Sequence, residues 1–237
     1  MFSLIVATDK NNGIGLNNKI PWKSDLKYFK IDSLNDDIVM VMKKRLIDNG
    51  YASKSTVKTY YNGTLISIKK PEDYMTLYTH PEGEKFIVDN TCERWSVGVT
   101  LSNDGFQHSS FVNGIHTSIG GSHVDHVVNQ ITKVIIEKLR TKKIEVKPSD
   151  VKNKMFVFIK SAIVNPVFDS QSKECLKMAK SKFGSEFIMS DAFKKKLHTS
   201  SILKSMLAVS DSKKQKDLSK TNGVKTSRLT NIDTLED

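Results

Sequence analysis

FVNGIHTSIGGSHVD, residues 111–125, is the stretch on which the fold turns. Phe106 to Asn113 reads as a strand that runs into it. Gly120 and Gly121 then permit a close turn, and Ser122 is placed to cap a following helix. Beyond it Val124, Val127, Val128, Ile131, Val134, Ile135 and Leu139 recur at helical spacing, an apolar stripe for one face of a long helix. A glycine-rich turn entering a helix can cradle a phosphate on its free amides. It can equally be a tight strand-to-helix connection inside a core. His116 and His123 lie seven residues apart with no Cys or acidic partner at ligand spacing, so no metal site is expected. His123 stands beside Asp125 without a nucleophile, so the stretch carries no catalytic residue.

Downstream, Met155 to Val164 (MFVFIKSAIV) reads as a strand, followed by the loop Asn165 to Glu174 (NPVFDSQSKE). Ser170 or Ser172 could cap a helix beginning near Lys173. Phe183 to Met189 reads as a strand or turn. Ser190 is expected to cap a last helix through about Ala208, with Ile202, Leu203, Met206 and Leu207 as its apolar side. Residues 209–237, rich in Ser, Lys, Asp and Thr, read as a flexible linker.

Upstream, Lys85 to Val88 and Trp95 to Leu101 are strands. In the second, Trp95, Val97, Val99 and Leu101 alternate with Ser96, Gly98 and Thr100, the pattern of one buried face. Ile38, Val41, Met42, Arg45 and Leu46 share a helix face that Gly50 stops. Asn62-Gly63 marks a hairpin between Thr56–Tyr61 and Leu65–Ile68, and Pro71 opens a short helix through Tyr78. The opening Phe2 to Thr8 is a buried strand, and Asp9 to Asn18 is a turn-rich loop.

The 237 residues carry a net charge of +11, which favours a polyanionic partner, nucleic acid above all. A solvated lysine-rich surface looks much the same. Two cysteines without paired-ligand spacing argue against a disulfide framework or structural zinc. No apolar run is long enough to span a membrane, and FSLIVAT is too short for a signal-peptide core. A soluble, intracellular protein is expected (nucleus, cytoplasm or viral replication site).

Two families resemble parts of the chain. FVNGIHTSIGGSHVD and NPVFDSQSKE resemble the FVNxIxTxxGGxHVD and NPxFDSQTKE signatures of ATP-dependent type IIA DNA topoisomerases of the eukaryotic and large-DNA-virus branch. The resemblance implies an α+β fold. A transducer domain (a β-sheet with packed helices, ribosomal-protein-like βαβ) spans 85–208, preceded at 25–80 by the end of a GHKL ATPase domain. Residues 209–237, with LTNIDTLED, would lead to a TOPRIM domain that the chain does not contain. In this family the loop reaches into an ATP site, so Gln171 and Lys173 are the implied ATP contacts, with Ser172 replacing Thr. A lysine can sense the terminal phosphate and lose its partner after hydrolysis. The basic cluster Lys138, Arg140, Lys142 and Lys143, with Lys147, matches a DNA-contacting loop of the family. It also suits a solvated helix end complementing the dipole.

Residues 1–30 resemble the N-terminus of dihydrofolate reductase, through NNGIG, Pro21-Trp22 and DLKYFK, with Asp25 matching its pterin-binding acid and residues 1–24 as the leader fragment. One strand and one loop build no nicotinamide site, so no reductase activity is expected. The reading is thus a fragment of a topoisomerase that couples ATP binding and hydrolysis to duplex passage. ATP and Mg2+ would serve the full enzyme, a homodimer acting on double-stranded DNA. The general-base Glu, the Mg-binding Asn and the strand-cleaving tyrosine lie outside this chain, so alone it is expected to be inactive and to hold no cofactor securely. The alternatives are a truncated reductase-like protein and a basic DNA-binding module without catalysis.

Overall fold

The structure, a computed structural model, describes residues 36–53, 57–68, 70–78 and 86–221. The expectations for the reductase-like leader and for residues 222–237 fall outside these. In chain order come α1 (Asp36–Ala52), the hairpin β1 (Thr59–Tyr61) and β2 (Thr64–Ile66), and α2 (Pro71–Met75). Then follow β3 (Ile87–Asp89), β4 (Trp95–Leu101), β5 (Gln107–Val112), β6 (Ile115–His116) and β7 (Gly120–Gly121). The chain continues through α3 (Ser122–Thr141), α4 (Pro148–Lys152), β8 (Met155–Ser161), β9 (Cys175–Leu176), α5 (Asp191–Leu197) and α6 (Ser201–Thr221).

The main sheet has the order β3-β4-β8-β5-β6. Its pairs are antiparallel except β5 with β8, which run parallel. A parallel pair needs a long crossover, and α3 and α4 supply it. β8 is therefore central and covered on both faces, which is why Met155 to Ile159 read as unbroken apolar sequence. Met155, Val157 and Ile159 join the larger core with α3, α5 and α6. Phe156 and Phe158 point the other way, into a smaller core with Tyr51, Tyr74, Met75 and Phe111.

That second layer corrects the expectation for β4. Gly98 and Thr100 are buried as well as Trp95, Val97 and Val99. The small residues make room for α2: a Cβ on Gly98 would lie 2.6 Å from Met75 Sδ. The unit of α1 and α2 is held on the sheet by polar contacts as well as rings. Tyr74 Oη donates to the buried Asp48 carboxylate at 2.6 Å and lies 3.1 Å from Ser109 Oγ. Tyr51 stacks on Tyr74 at 4.2 Å. Lys160 Nζ donates to the carbonyls of Tyr51 and Ser53, at 3.1 and 3.0 Å, neutralising the negative end of α1.

On α3 the buried side chains are His123, Val124, Val127, Val128, Ile131, Thr132, Ile135 and Leu139, close to the expected stripe, with Val134 only partly covered. Full burial of each such Val, Ile or Leu contributes ~1.5–3 kcal/mol. Other expectations change. The apolar stripe of α1 is uncovered among the described residues: Ile38, Val41 and Met42 are exposed, and burial falls on Asp48, Tyr51 and Ala52 instead. Phe183–Met189 forms no strand, yet Phe183, Phe187 and Met189 are buried. The single helix expected from Ser190 is two. Ser190 Oγ does accept from Phe193 N–H. At Ser200 the hydroxyl accepts from Leu203 N–H and donates to the Leu197 carbonyl, ending one helix and capping the next. α6 runs on to Thr221, past position 209 where a linker was expected.

Candidate functional site

The loop after β8 is a narrow hairpin. Asn113, from the 111–125 stretch, fixes its start: its side chain accepts from Ile163 N–H and donates to the Ile163 carbonyl, both at 2.8 Å. Further out, Lys177 N–H donates to Val167 O at 2.9 Å and Asp169 N–H to Cys175 O at 3.1 Å, with Phe168 bridged to Leu176. The tip is Ser170 to Glu174, and it holds Gln171 and Lys173. Gln171 is exposed and Lys173 half-buried.

No helix begins near Lys173, so neither serine is a cap. Ser170 and Ser172 instead meet each other at 2.8 Å. Lys173 N–H donates to Ser170 O at 3.1 Å, closing a turn in which Lys173 takes φ +58°. That left-handed conformation costs a non-glycine residue ~1–3 kcal/mol and persists only where its surroundings enforce it.

The surroundings are the glycine pair. β9 runs parallel to β7, pairing Gly120 with Cys175 and Gly121 with Leu176. A Cβ on Gly121 would stand 2.3 Å from the Leu176 carbonyl oxygen. Gly121 therefore serves close backbone approach between hairpin and helix start, while a Cβ on Gly120 would press on the His108 ring at 3.0 Å. Ser122 is already the first helical residue. It provides no cap, and its hydroxyl donates to Leu176 O at 3.4 Å. Glu174 closes the junction. Its carbonyl accepts from Ile119 N–H at 3.0 Å, and its carboxylate accepts from Ser118 and Ser172 hydroxyls.

The histidines have structural roles. His123 is fully buried, and its Nε2 lies 3.1 Å from Thr117 Oγ1. Thr117 Oγ1 also donates to Ser110 O at 3.0 Å and lies 2.6 Å from Ser110 Oγ, so the ring joins a buried polar chain. Burial first, and His108 second, push the His123 pKa down to about 3, so the ring is neutral. His116 and His123 do not converge on a metal site. Among the described residues no group of three or more His, Cys, Asp or Glu could hold a metal ion.

The basic cluster closes the far end of α3. Lys143 N–H donates to Arg140 O at 2.9 Å and Ile144 N–H to Leu139 O at 3.1 Å, with Lys143 at φ +57°. This is a Schellman end with Lys where Gly is usual, and buried Ile144 beside Leu139 is its apolar clasp. Lys138 is half-buried, while Arg140, Lys142 and Lys143 are exposed around the last turn. α3 has 20 residues, so its ends lie about 30 Å apart at 1.5 Å per residue. The hairpin base sits on one end and the four cations on the other. Sequence reading missed Asn113, Ser118 and Glu174, although all three lie within or at the edge of the two quoted stretches. No helix among the described residues is long and apolar enough to cross a membrane.

Residues 51–225 match the family model described as DNA gyrase B, and residues 1–44 match that of dihydrofolate reductase. The chain is 41% identical over 219 residues to DNA topoisomerase 2 of Pisum sativum, covering 89% of this chain. It spans only 15% of that relative's length. Among solved structures, the ATPase region of Saccharomyces cerevisiae topoisomerase II matches with a TM-score of 0.69 at 33% identity, over 78% of this chain and 48% of that one. The ATPase and transducer domains of DNA topoisomerase II from Balamuthia mandrillaris match with a TM-score of 0.69 at 34% identity, over 77% of this chain and 47% of that one. With the hairpin seated on a glycine pair at the head of α3, and with a family model matched over most of its length, this chain belongs to the type IIA DNA topoisomerase family.

Proposed function

We propose that this chain is the coupling region of an ATP-dependent type IIA topoisomerase. Gln171 and Lys173 contact the nucleotide's terminal phosphate, and α3 carries the resulting movement to a DNA-facing end at Lys138, Arg140, Lys142 and Lys143. The carrying observation is the exposed hairpin tip, whose Lys173 ammonium has no hydrogen bond or ion pair among the described residues. An exposed amide and an unneutralised cation fit a phosphate. They offer no ligand set for Mg2+, which another part of the ATPase domain would hold. The uncovered face of α1, with Ile38, Met40, Val41 and Met42 exposed, suits packing against that rest of the ATPase domain. The DNA contact would be electrostatic and independent of sequence. The working enzyme would be a homodimer, with the cleavage machinery in the TOPRIM and tyrosine-bearing portions. The resemblance at residues 1–44 is short and gives no basis for reductase chemistry.

The test is a chimera in which residues 36–221 replace the matching segment of the Saccharomyces cerevisiae enzyme. A hydrogen bond to a charged group contributes ~1.5–3 kcal/mol, so Lys173→Ala should slow ATP hydrolysis roughly 10- to 100-fold. Hydrolysis at the parent rate in both Lys173→Ala and Gln171→Ala overturns the reading. The purified chain by itself should hydrolyse no ATP. DNA-stimulated hydrolysis that disappears with Lys173→Ala refutes that part.

A further inference from the structure

The hairpin tip places a carboxylate next in sequence to the phosphate-sensing cation and keeps the two apart. Glu174 Oε1 accepts from Ser118 Oγ at 3.0 Å, and Oε2 accepts from Ser172 Oγ at 3.2 Å. Ser172 is supported in turn by Ser170 at 2.8 Å. Ile119 N–H on the Glu174 carbonyl holds the main chain beneath the same carboxylate. Lys173, turned through φ +58°, forms no ion pair with it. Ser118 belongs to the 111–125 stretch and Ser172 to the hairpin itself, so the carboxylate is clamped from both sides of the junction.

We infer that Ser118 and Glu174 form a latch that positions the tip and withholds the Glu174 carboxylate from Lys173. Two hydroxyl donors occupy its oxygens, and the neighbouring ammonium stays open to an incoming polyphosphate. Without the Ser118 hydroxyl, one carboxylate oxygen loses its donor while a cation stands one residue away. An exposed Lys–Glu pair at that range competes with other anions by roughly two- to five-fold, and less at high salt. Ser118 and Glu174 are thus positioning residues that act through Lys173. The inference rests on the proposed role of Lys173 for its purpose, while the latch itself can be read without nucleotide.

The experiment is trace acylation of the full-length chain with an N-hydroxysuccinimide acetate, read lysine by lysine by mass spectrometry. An ion-paired ammonium acylates more slowly than a free one. Ser118→Ala should lower the Lys173 rate roughly two- to five-fold relative to exposed Lys177 at low salt, with the difference vanishing at high salt. Ser118→Thr, which keeps the hydroxyl, should match the parent. The double variant Ser118→Ala/Glu174→Gln should restore the parent rate, a rescue that simple loosening of the tip does not produce. Unchanged Lys173 reactivity in Ser118→Ala, or no recovery in the double variant, overturns the latch. No nucleotide is present, so this outcome is separate from the chimera result: a latch can hold even if Lys173→Ala leaves hydrolysis intact.

Discussion

Gly121→Ala probes the junction on which the hairpin depends, and its cost follows from two features of the structure. Gly121 has φ +122° and ψ −163°, a conformation essentially reserved for glycine, and forcing another residue into it costs ~1–3 kcal/mol. The added Cβ would also lie 2.3 Å from the Leu176 carbonyl oxygen and 2.6 Å from its nitrogen. These are backbone atoms and cannot rotate away, so β7 and β9 must part. Each ladder hydrogen bond lost there costs ~0.5–1.5 kcal/mol. The total is roughly 2–5 kcal/mol. For a chain of this size that lowers Tm by roughly 4–20 °C, at 2–4 °C per kcal/mol. Gly105 is the control: its φ is +85°, yet nothing lies within 4 Å of its Cβ position, so Gly105→Ala should cost only ~1–2 kcal/mol. Thermal unfolding of the two variants side by side gives the comparison. Hydrogen exchange at Ile119 and Leu176 should accelerate in Gly121→Ala alone. If the two variants unfold within about 1 kcal/mol of each other with equal exchange, the close-approach account of the glycine pair is wrong.

Two further outcomes are expected. Lys143→Gly should stabilise the chain by ~0.5–1 kcal/mol by relieving the left-handed position that ends α3, seen as a higher urea midpoint; a lower midpoint contradicts the helix-end assignment. Stability should also fall with acid. His123 is held neutral with a folded pKa of about 3 by burial and by His108, against about 6.5 in the unfolded chain. Its contribution is complete above about pH 6.5 and declines below it by up to ~1.4 kcal/mol per pH unit, because only the unfolded chain takes up the proton. Burial lowers the pKa values of His108, His116 and His126 in the same direction. Urea midpoints at pH 7 and pH 5 should therefore differ less in His123→Gln than in the parent. Equal differences would remove His123 from the account.

Local pattern carried much of the fold. The stripe on α3, the cap at Ser190 and the Asn62-Gly63 turn were legible because each depends on residues close in sequence. In that turn both residues take positive φ, 47° and 77°, as a two-residue hairpin requires. The break at Ser200 was less legible because Ser can sit inside a helix or cap one, and only the hydrogen bonds to Leu203 N–H and Leu197 O decide between them. The apolar stripe of α1 predicted a buried face, yet Ile38, Val41 and Met42 are exposed. Helical periodicity says that a face is apolar and leaves open what covers it.

The site divides along the same line. Gln171 and Lys173 were singled out from motif alone, and the structure places both on the hairpin tip. Their setting was hidden. A helix near Lys173 was a fair reading of Ser-Lys-Glu by propensity, but the turn closes through Asp169 and Cys175, and a left-handed Lys173 follows.

Sequence by itself therefore determined the longer strands, the main helix α3 and the two stretches that mark the family, because spacing and turn chemistry act over a few residues. Tertiary structure decided what the glycines are for. On sequence, Gly120-Gly121 could cradle a phosphate or turn a corner. The Leu176 carbonyl, more than fifty residues away in the chain and 2.3 Å from where a side chain would begin, makes close packing the reason. It likewise decided that Glu174 faces Ser118 rather than Lys173. Such contacts join distant segments, and no local periodicity encodes which backbone will arrive on the other side.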